Sequence, residues 1–169
     1  MEATDAPLFA YYEGIHKEQQ IEEIFHNRLL ESYNNYLIIG GMPECVSSWL
    51  KQMAGIDNSA ILLKSTYQFK GPLTENYVLQ QLRGQFEVMP RYFSNRNGEI
   101  DFVLQCGMEI IPVETKGGED KSAPAFKKYV ADNHPQYAVK FSKMGYRKDG
   151  NITNIPLYLV GKTKELLGG

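Results

Sequence analysis

The chain has 169 residues, a length that suits one domain with a real core or one domain with a helical appendage. Its net charge of -2 and its 43% of hydrophobic residues are typical of an ordinary soluble globular protein. No apolar run approaches the roughly 20 residues that span a bilayer, and the first residues lack a signal-peptide pattern. Cys45 and Cys106 have no CxxC partner, which argues against a zinc site and a disulfide. We expect a cytoplasmic protein with reduced thiols and no membrane contact.

Residues 1–70 are predicted to form a helical linker segment. Within residues 8–36, apolar side chains at helical spacing predict an amphipathic helix: Ile21, Ile24, Phe25 and Leu29. Pro43 follows two glycines and suits the first turn of another helix, because proline needs no amide partner there. A further helix is predicted over residues 59–69. The N-terminal part of the chain is therefore expected to be all-helical.

Residues 71–169 show a different pattern and are predicted to form a separate domain. Thr74 is the predicted N-cap of a helix whose apolar side chains lie four residues apart: Val78, Leu82 and Phe86. Strand-like runs follow this helix: RYFSN at 91–95, EIDFVLQ at 99–105 and EIIPVETK at 109–116. Gly98 and Gly107 mark turns between these runs, so the three are predicted to form a meander.

A helix near residues 123–132 and two further strand-like runs, QYAVKFS and IPLYLV, complete the chain. The predicted order is helix, three-stranded meander, helix, strand, strand. Such an order favours an α/β fold (α+β mixed), in which a mixed sheet is flanked by helices and follows the helical N-terminal segment.

Charged side chains interrupt two of the predicted strands. Asp101 lies in an otherwise apolar run, and Glu114 and Lys116 are two residues apart, so these last two share one face of a strand. Burying a lone carboxylate is unfavourable by several kcal/mol unless it is paired or bound to a metal. Mg²⁺ or Mn²⁺ between the two carboxylates removes this cost, and Lys116 beside it orients or deprotonates a water. The sequence therefore predicts metal-assisted hydrolysis of a phosphodiester.

Asp101 and the later triplet of residues 114–116 resemble the D…ExK core of the PD-(D/E)XK nuclease superfamily. The run GPLTENYVLQQL resembles the preceding helix, which carries a glutamate in many members; here that residue is Glu75. The resemblance implies a restriction-endonuclease-like core in which Asp101 and Glu114 hold the metal and the main-chain carbonyl of Thr115 adds a ligand. It further implies that Glu75 holds a second metal or a water, and that Lys116 serves the nucleophilic water.

The runs GPLTENYVLQQL, RNGEIDFVLQ, IIPVETKGG and NIPLYLV also resemble, in this order, a C-terminal domain of unknown function in a family of prokaryotic AAA+-type ATPases. This resemblance covers residues 36–160 and implies an AAA+ ATPase module as a partner. A P-loop requires a flexible GxxxxGK[ST] segment. The tripeptide at 161–163 follows an apolar run instead, and Pro156 stands where the first glycine is needed. We therefore expect no ATPase activity from this chain.

The C-terminal part of the sequence carries an excess of basic residues, which suits contact with the backbone of DNA or RNA. Between residues 121 and 148 the sequence has one acidic residue, Asp132, and these basic residues: Lys121, Lys127, Lys128, Lys140, Lys143, Arg147 and Lys148. The same stretch also fits a solvated helix face followed by a loop.

Three functions are consistent with these residues. The first is a metal-dependent nuclease, with Asp101, Glu114 and Lys116 at its centre. The second is a catalytically inactive nuclease-fold module, in which these residues form an inherited salt-bridge cluster and the domain binds nucleic acid or a protein for an ATPase. The third is a glycosidase, which Lys116 disfavours because a lysine keeps both acids ionised and removes the general acid.

Overall fold

The computed structural model describes residues 5–40, 70–95, 98–118 and 123–168. The helices in these ranges are α1 (Ala6–Glu13), α2 (Glu23–Ile39), α3 (Lys70–Arg83), α4 (Pro124–Asn133), a 3-10 helix (Leu157–Lys162) and α5 (Thr163–Leu167). The strands are β1 (Arg91–Asn95), β2 (Gly98–Cys106), β3 (Glu109–Thr115), β4 (Ala138–Ser142), β5 (Arg147–Asp149) and β6 (Ile152–Pro156). The predicted mixed α/β class is confirmed, with helices first and then a mixed sheet flanked by helices.

Several predictions fall outside the described residues: the helix that begins near Pro43, the helix over residues 59–69, Cys45 and Lys121. Cys106 is a free, half-buried thiol. Every helix in the described ranges is too short or too polar to cross a bilayer.

The N-terminal helices differ from the single amphipathic stripe that the sequence predicted. Helix α1 is capped by Asp5, whose Oδ1 accepts a hydrogen bond from the Leu8 amide at 3.1 Å. Helix α2 begins only at Glu23, so Ile21 precedes it, and Ile24 is 65% exposed. The predicted burial of Ile24 was wrong, because three- and four-residue spacing shows neither where a helix starts nor which of its faces lies against the core.

Helix α3 begins at Lys70, so the predicted N-cap role of Thr74 is wrong: this residue lies inside the helix. Its side chain is buried, and its hydroxyl accepts a hydrogen bond from the Tyr33 hydroxyl at 3.2 Å. Val78 and Leu82 are fully buried, as their spacing predicted. Thr74 therefore joins α3 to α2 instead of starting a helix.

In the described part of the chain, the sheet has six strands in the order β1-β2-β3-β4-β6-β5. Strands β1, β2 and β3 form the predicted antiparallel meander, and β4 runs parallel to both β3 and β6. The short strand β5 is antiparallel to β6. Because β3 and β4 are parallel, their carboxyl ends meet at the same edge of the sheet.

The run IPLYLV was predicted as a strand, but only its first two residues belong to one. Strand β6 ends at Pro156, and the 3-10 helix then carries Leu157, Leu159 and Val160 into the core, where each is almost fully buried. A short run that is apolar on every side has no period that separates strand from helix. The prediction failed for that reason.

Apolar side chains cover the two faces of the sheet in two clusters. The large core lies against α1, α2, α3 and the 3-10 helix, and its buried members include Leu8, Ile15, Leu29, Val78, Leu82, Phe102, Leu104, Val113, Val139, Phe141, Ile155 and Leu157. The small core lies against α4 and consists of Ile100, Ala123, Phe126, Val130 and Ala138. The large core thus draws side chains from both sides of residue 70.

Candidate functional site

A change of register in β2 marks the place where Asp101 lies. Arg91 pairs with Val103, but Phe93 pairs with Ile100, so two steps along β1 correspond to three along β2. This is the signature of a β-bulge, which bends a strand and re-aims its side chains. Accordingly, Ile100 packs in the small core, whereas Phe102 packs in the large core on the other face. The bulge therefore falls at Asp101.

The carboxylate of Asp101 bonds to the backbone of β3. The ladder between β2 and β3 runs from the pair of Cys106 and Glu109 to the pair of Phe102 and Val113. Beyond it, the Thr115 amide donates a hydrogen bond to Oδ2 of Asp101 at 2.6 Å. A side chain thus continues the contact between the strands, which fixes the Asp101 carboxylate beside the end of β3.

Glu114 and Lys116 lie together at the carboxyl end of β3. The Lys116 ammonium forms an ion pair with Oε1 of Glu114, whose side chain is only 7% exposed. Val113 belongs to the large core, so Glu114, the next residue, faces the opposite side of the sheet, the side that α4 covers. The Lys116 amide donates to the Phe141 carbonyl at 2.8 Å, which ties this end of β3 to β4.

Burial makes the ionised carboxylates of the site unfavourable. It raises the pKa of Glu114, while the hydrogen bond from Lys116 lowers this pKa and the charge of Asp101 raises it further. Burial also raises the pKa of Asp101, while the hydrogen bond from the Thr115 amide and the charge of Lys116 lower it. The two carboxylates therefore lie close enough to repel each other, and Lys116 compensates them only in part.

Glu75 reaches the same site from α3. The residue is exposed overall, yet partial burial of its carboxylate raises its pKa, and the charge of Asp101 raises it further. The charge of Lys116 acts in the opposite direction. The structure therefore brings Glu75 into electrostatic reach of Asp101 and Lys116, and Asp101 and Lys116 into reach of Glu114.

The oxygen atoms at this site fit a hard divalent cation. Asp101 and Glu114 offer carboxylate oxygens, and Mg²⁺ characteristically uses one or two carboxylates together with waters and substrate phosphate. No group of three or more His, Cys, Asp or Glu side chains in the described ranges is arranged to hold a metal ion. An ion held by Asp101 and Glu114 would therefore take the rest of its ligands from solvent and substrate.

Lys140 also belongs to this site, and no pattern in the sequence predicted its place there. Parallel pairing sets it directly beside Glu114, and its charge lowers the pKa of that carboxylate. The sequence placed Lys140 only within a basic stretch, because a pairing between strands 26 residues apart leaves no local pattern. Other basic residues of that stretch lie elsewhere: Lys127 and Lys128 are on α4, where Lys128 pairs with Asp132 at 2.9 Å.

A family model described as a domain of unknown function (DUF4143) matches residues 70–160, just over half of the chain. The matched region starts with α3 and ends in the 3-10 helix, so it contains the whole sheet and every residue of the site. Neither a curated protein nor a solved structure matches the chain.

Proposed function

Since the chain belongs to the DUF4143 family of domains of unknown function, we propose its function from the site itself: metal-dependent hydrolysis of phosphodiester bonds in DNA or RNA. One observation carries this proposal. Two carboxylates, Asp101 and Glu114, lie beside a lysine at the open end of a strand pair, and burial raises the pKa of both acids. Such a cluster is unfavourable by itself and becomes favourable with a bound cation.

The roles of the residues follow from their chemistry. Asp101 and Glu114 would hold Mg²⁺ or Mn²⁺ with help from the carbonyl of Thr115, and Glu75 would hold a second ion or a water. The metal supplies charge for the transition state and a more acidic water. Lys116 would orient the attacking water toward the phosphate or accept its proton. This division of labour is the one implied by the resemblance to PD-(D/E)XK nucleases.

We also propose that this domain works with an AAA+-type ATPase. The support is the resemblance of residues 36–160 to the C-terminal domains and linkers of such ATPases. Lys162, in the GKT tripeptide, donates hydrogen bonds to the carbonyls of Glu13 and Ile15 at 2.7 and 3.0 Å. Its ammonium thus has a structural use within the fold, and nucleotide hydrolysis is assigned to the partner.

A thermal melt and a nuclease assay test the proposal together. With Mg²⁺ or Mn²⁺ we expect the melting temperature to rise and single- or double-stranded DNA or RNA to be cleaved. Asp101→Ala should lose both effects. The matched control is Glu109→Ala, because Glu109 is an exposed carboxylate on the same strand pair but at its turn. Equal metal responses in the two variants would contradict the assignment of the metal site.

A second function is favoured by one specific contact. Lys116 already pairs with Glu114, and a pair of this kind can persist as an inherited salt bridge in a module that binds nucleic acid or protein without cleaving it. This reading predicts no metal-dependent shift in melting and no cleavage of any of the four substrates. Loss of stability in Lys116→Ala would then be its main effect, because the buried Glu114 and the half-buried Asp101 lose their compensating charge.

A further inference from the structure

Polar side chains form a row across one face of the sheet, starting at Glu114. Glu114 pairs with Lys140, Lys140 pairs with Asn154, and Asn154 pairs with Arg147. Residues that pair directly in this way share a face of the sheet. The row therefore crosses β3, β4, β6 and β5 and carries two positive charges away from the carboxylates of the site. We call it the cationic row.

The neighbouring row, one residue earlier on β3, β4 and β6, points to the opposite face and is buried on these three strands. It consists of Val113, Val139, Thr153 and Lys148. The first three are buried, and the two valines belong to the large core. On β4 and β6 the neighbouring row is buried, whereas Lys140 and Asn154 of the cationic row are only half-buried, so solvent reaches the cationic row on these strands.

Helix α4 covers this face only in part. It packs on Ala138, which pairs with Ile152 two residues before the pair of Lys140 and Asn154. The cationic row therefore lies one step beyond the small core, toward the carboxyl ends of the parallel strands. Lys140 is half-buried there, and Arg147 is exposed at the edge of the sheet.

Asn154 gives the middle of the row a fixed structure. Its Oδ1 accepts a hydrogen bond from the Ser142 hydroxyl at 2.7 Å. Its Nδ2 donates to the carbonyls of Met144 and Gly145 at 3.2 and 2.9 Å. These bonds hold the loop between β4 and β5 against the sheet. The two cations of the row are thus carried on a rigid surface and not on a long free loop.

We propose that Lys140 and Arg147 bind the phosphate backbone of the nucleic acid beside the bond that is cleaved, an inference that rests on the proposed function. Adjacent strands lie about 4.8 Å apart, so the row extends about 14 Å from Glu114 to Arg147. Long basic side chains spaced along such a line contact successive phosphates of one strand. Contacts of this type position a substrate without reading its sequence, so the row predicts a substrate class, a polynucleotide of any sequence.

The test compares neighbouring residues that face opposite ways. Arg147→Ala removes a cation of the row, and Lys148→Ala removes an exposed cation on the other face of the same strand. Binding of a fluorescent 20-nucleotide DNA of mixed sequence, single-stranded and duplex, is measured in EDTA over a range of salt concentrations. The slope of log K against log salt is negative, and for Arg147→Ala we expect it to become shallower by about 0.7–0.9, the value for one phosphate contact.

Lys148→Ala should keep the slope of the wild type, and Arg147→Lys should restore it. Lys140→Gln should make the slope shallower, as Arg147→Ala does, and thermal melting checks that the variant is folded. Equal slopes for the Arg147 and Lys148 variants, or a wild type that binds neither DNA, would overturn the row as a backbone contact.

The assay also separates this inference from the proposed function, since binding is measured without metal. If the wild type cleaves nucleic acid but Arg147→Ala has an unchanged slope, the backbone contact of the cationic row is refuted and the nuclease function stands. If Arg147→Ala shows the predicted shallower slope but the wild type does not cleave in Mg²⁺, the backbone contact is supported and the nuclease function is refuted.

Discussion

At its turn the β2–β3 hairpin is a regular ladder, whereas at its open end the same two strands lose their regular pattern. Near the turn Cys106 pairs with Glu109, Gly107 has a φ of 61°, and Met108 is 98% exposed. At the open end β2 bulges, and the carboxylate of Asp101 bonds to the amide of Thr115.

The two ends of the hairpin follow different rules although they share their strands. At the turn, charged residues such as Glu109 are exposed, and water solvates them. At the open end, Glu114 is buried and paired with Lys116. Regular elements usually agree with their sequence pattern, and departures concentrate at sites of function. The open end is therefore where substitutions should act on chemistry, and the turn is where they should act only weakly.

The largest expected effect concerns Lys116. Lys116→Ala should lower cleavage roughly 10²–10⁴-fold, the usual contribution of a positioned acid–base group. The rise in melting temperature with Mg²⁺ should persist, because an ammonium is not a metal ligand. Lys17→Ala, which removes an exposed lysine of the N-terminal segment, is the control. A loss of cleavage no larger than that of the control would assign the reaction to other residues.

Two glycines, one at each end of the hairpin, give the next effect. A Cβ on Gly98 would lie 2.5 Å from Cβ of Ala125 on α4, at a φ of 130°. Gly98→Ala should therefore lower the free energy of unfolding by roughly 2–4 kcal/mol. Gly107 has no atom within 4 Å of such a Cβ, so Gly107→Ala should cost only roughly 1–2 kcal/mol for its left-handed backbone.

Urea unfolding measures both glycine variants. Similar losses of unfolding free energy in the two variants would show that α4 can move away at Ala125. The open end would then be less tightly packed than the distance between the two Cβ atoms indicates.

A smaller effect concerns pH. The pKa of Asp101 is raised in the folded protein, so its ionised form opposes folding above that pKa, and the opposition disappears as the pH falls toward the ordinary value of 3.8. Asp101→Asn keeps an acceptor for the Thr115 amide. Without metal it should raise the melting temperature at pH 7 by a few degrees, and this gain should vanish near pH 4.

Scanning calorimetry in EDTA at both pH values measures this difference. A variant that is less stable than the wild type at pH 7 would mean that Lys116 and Thr115 over-compensate the charge of Asp101.

The smallest effect belongs to the turn. Met108→Lys should change the free energy of unfolding by no more than about 0.5 kcal/mol, because the side chain is almost fully exposed. Cleavage should also be unchanged. A loss of several kcal/mol in chemical denaturation would reveal contacts of Met108 with the rest of the protein.

Much of the hairpin could be predicted from sequence because its information is local. The glycines between the strands, the alternation along β2 and the spacing of Glu114 and Lys116 all lie within a few residues of one another. The bulge at Asp101 could not be predicted, since it depends on the register with β1. Lys140 was missed as a neighbour of Glu114 for a similar reason: parallel pairing joins distant segments, and no spacing in the sequence records it.

Two elements of the C-terminal part show other limits of sequence patterns. Strand β5 has three exposed charged residues and no apolar alternation, so only its pairing with β6 makes it a strand. The 3-10 helix after Pro156 begins with the apolar run LYLV, which has the pattern of a buried strand until its neighbours are known. The predicted division of the chain at residue 70 stays a prediction.

The composition of the large core has a practical consequence for work with recombinant fragments. Leu8, Ile15 and Leu29 pack in the same cluster as Val78 and Leu82, which lie in the region matched by the family model. A fragment cut at residues 70 and 160 would leave this apolar surface open to water and to other copies of itself. Aggregation of such a fragment would then report the missing N-terminal part of the core and not an intrinsically unstable domain. The limits of a family match and the limits of a folding unit are different quantities in this protein.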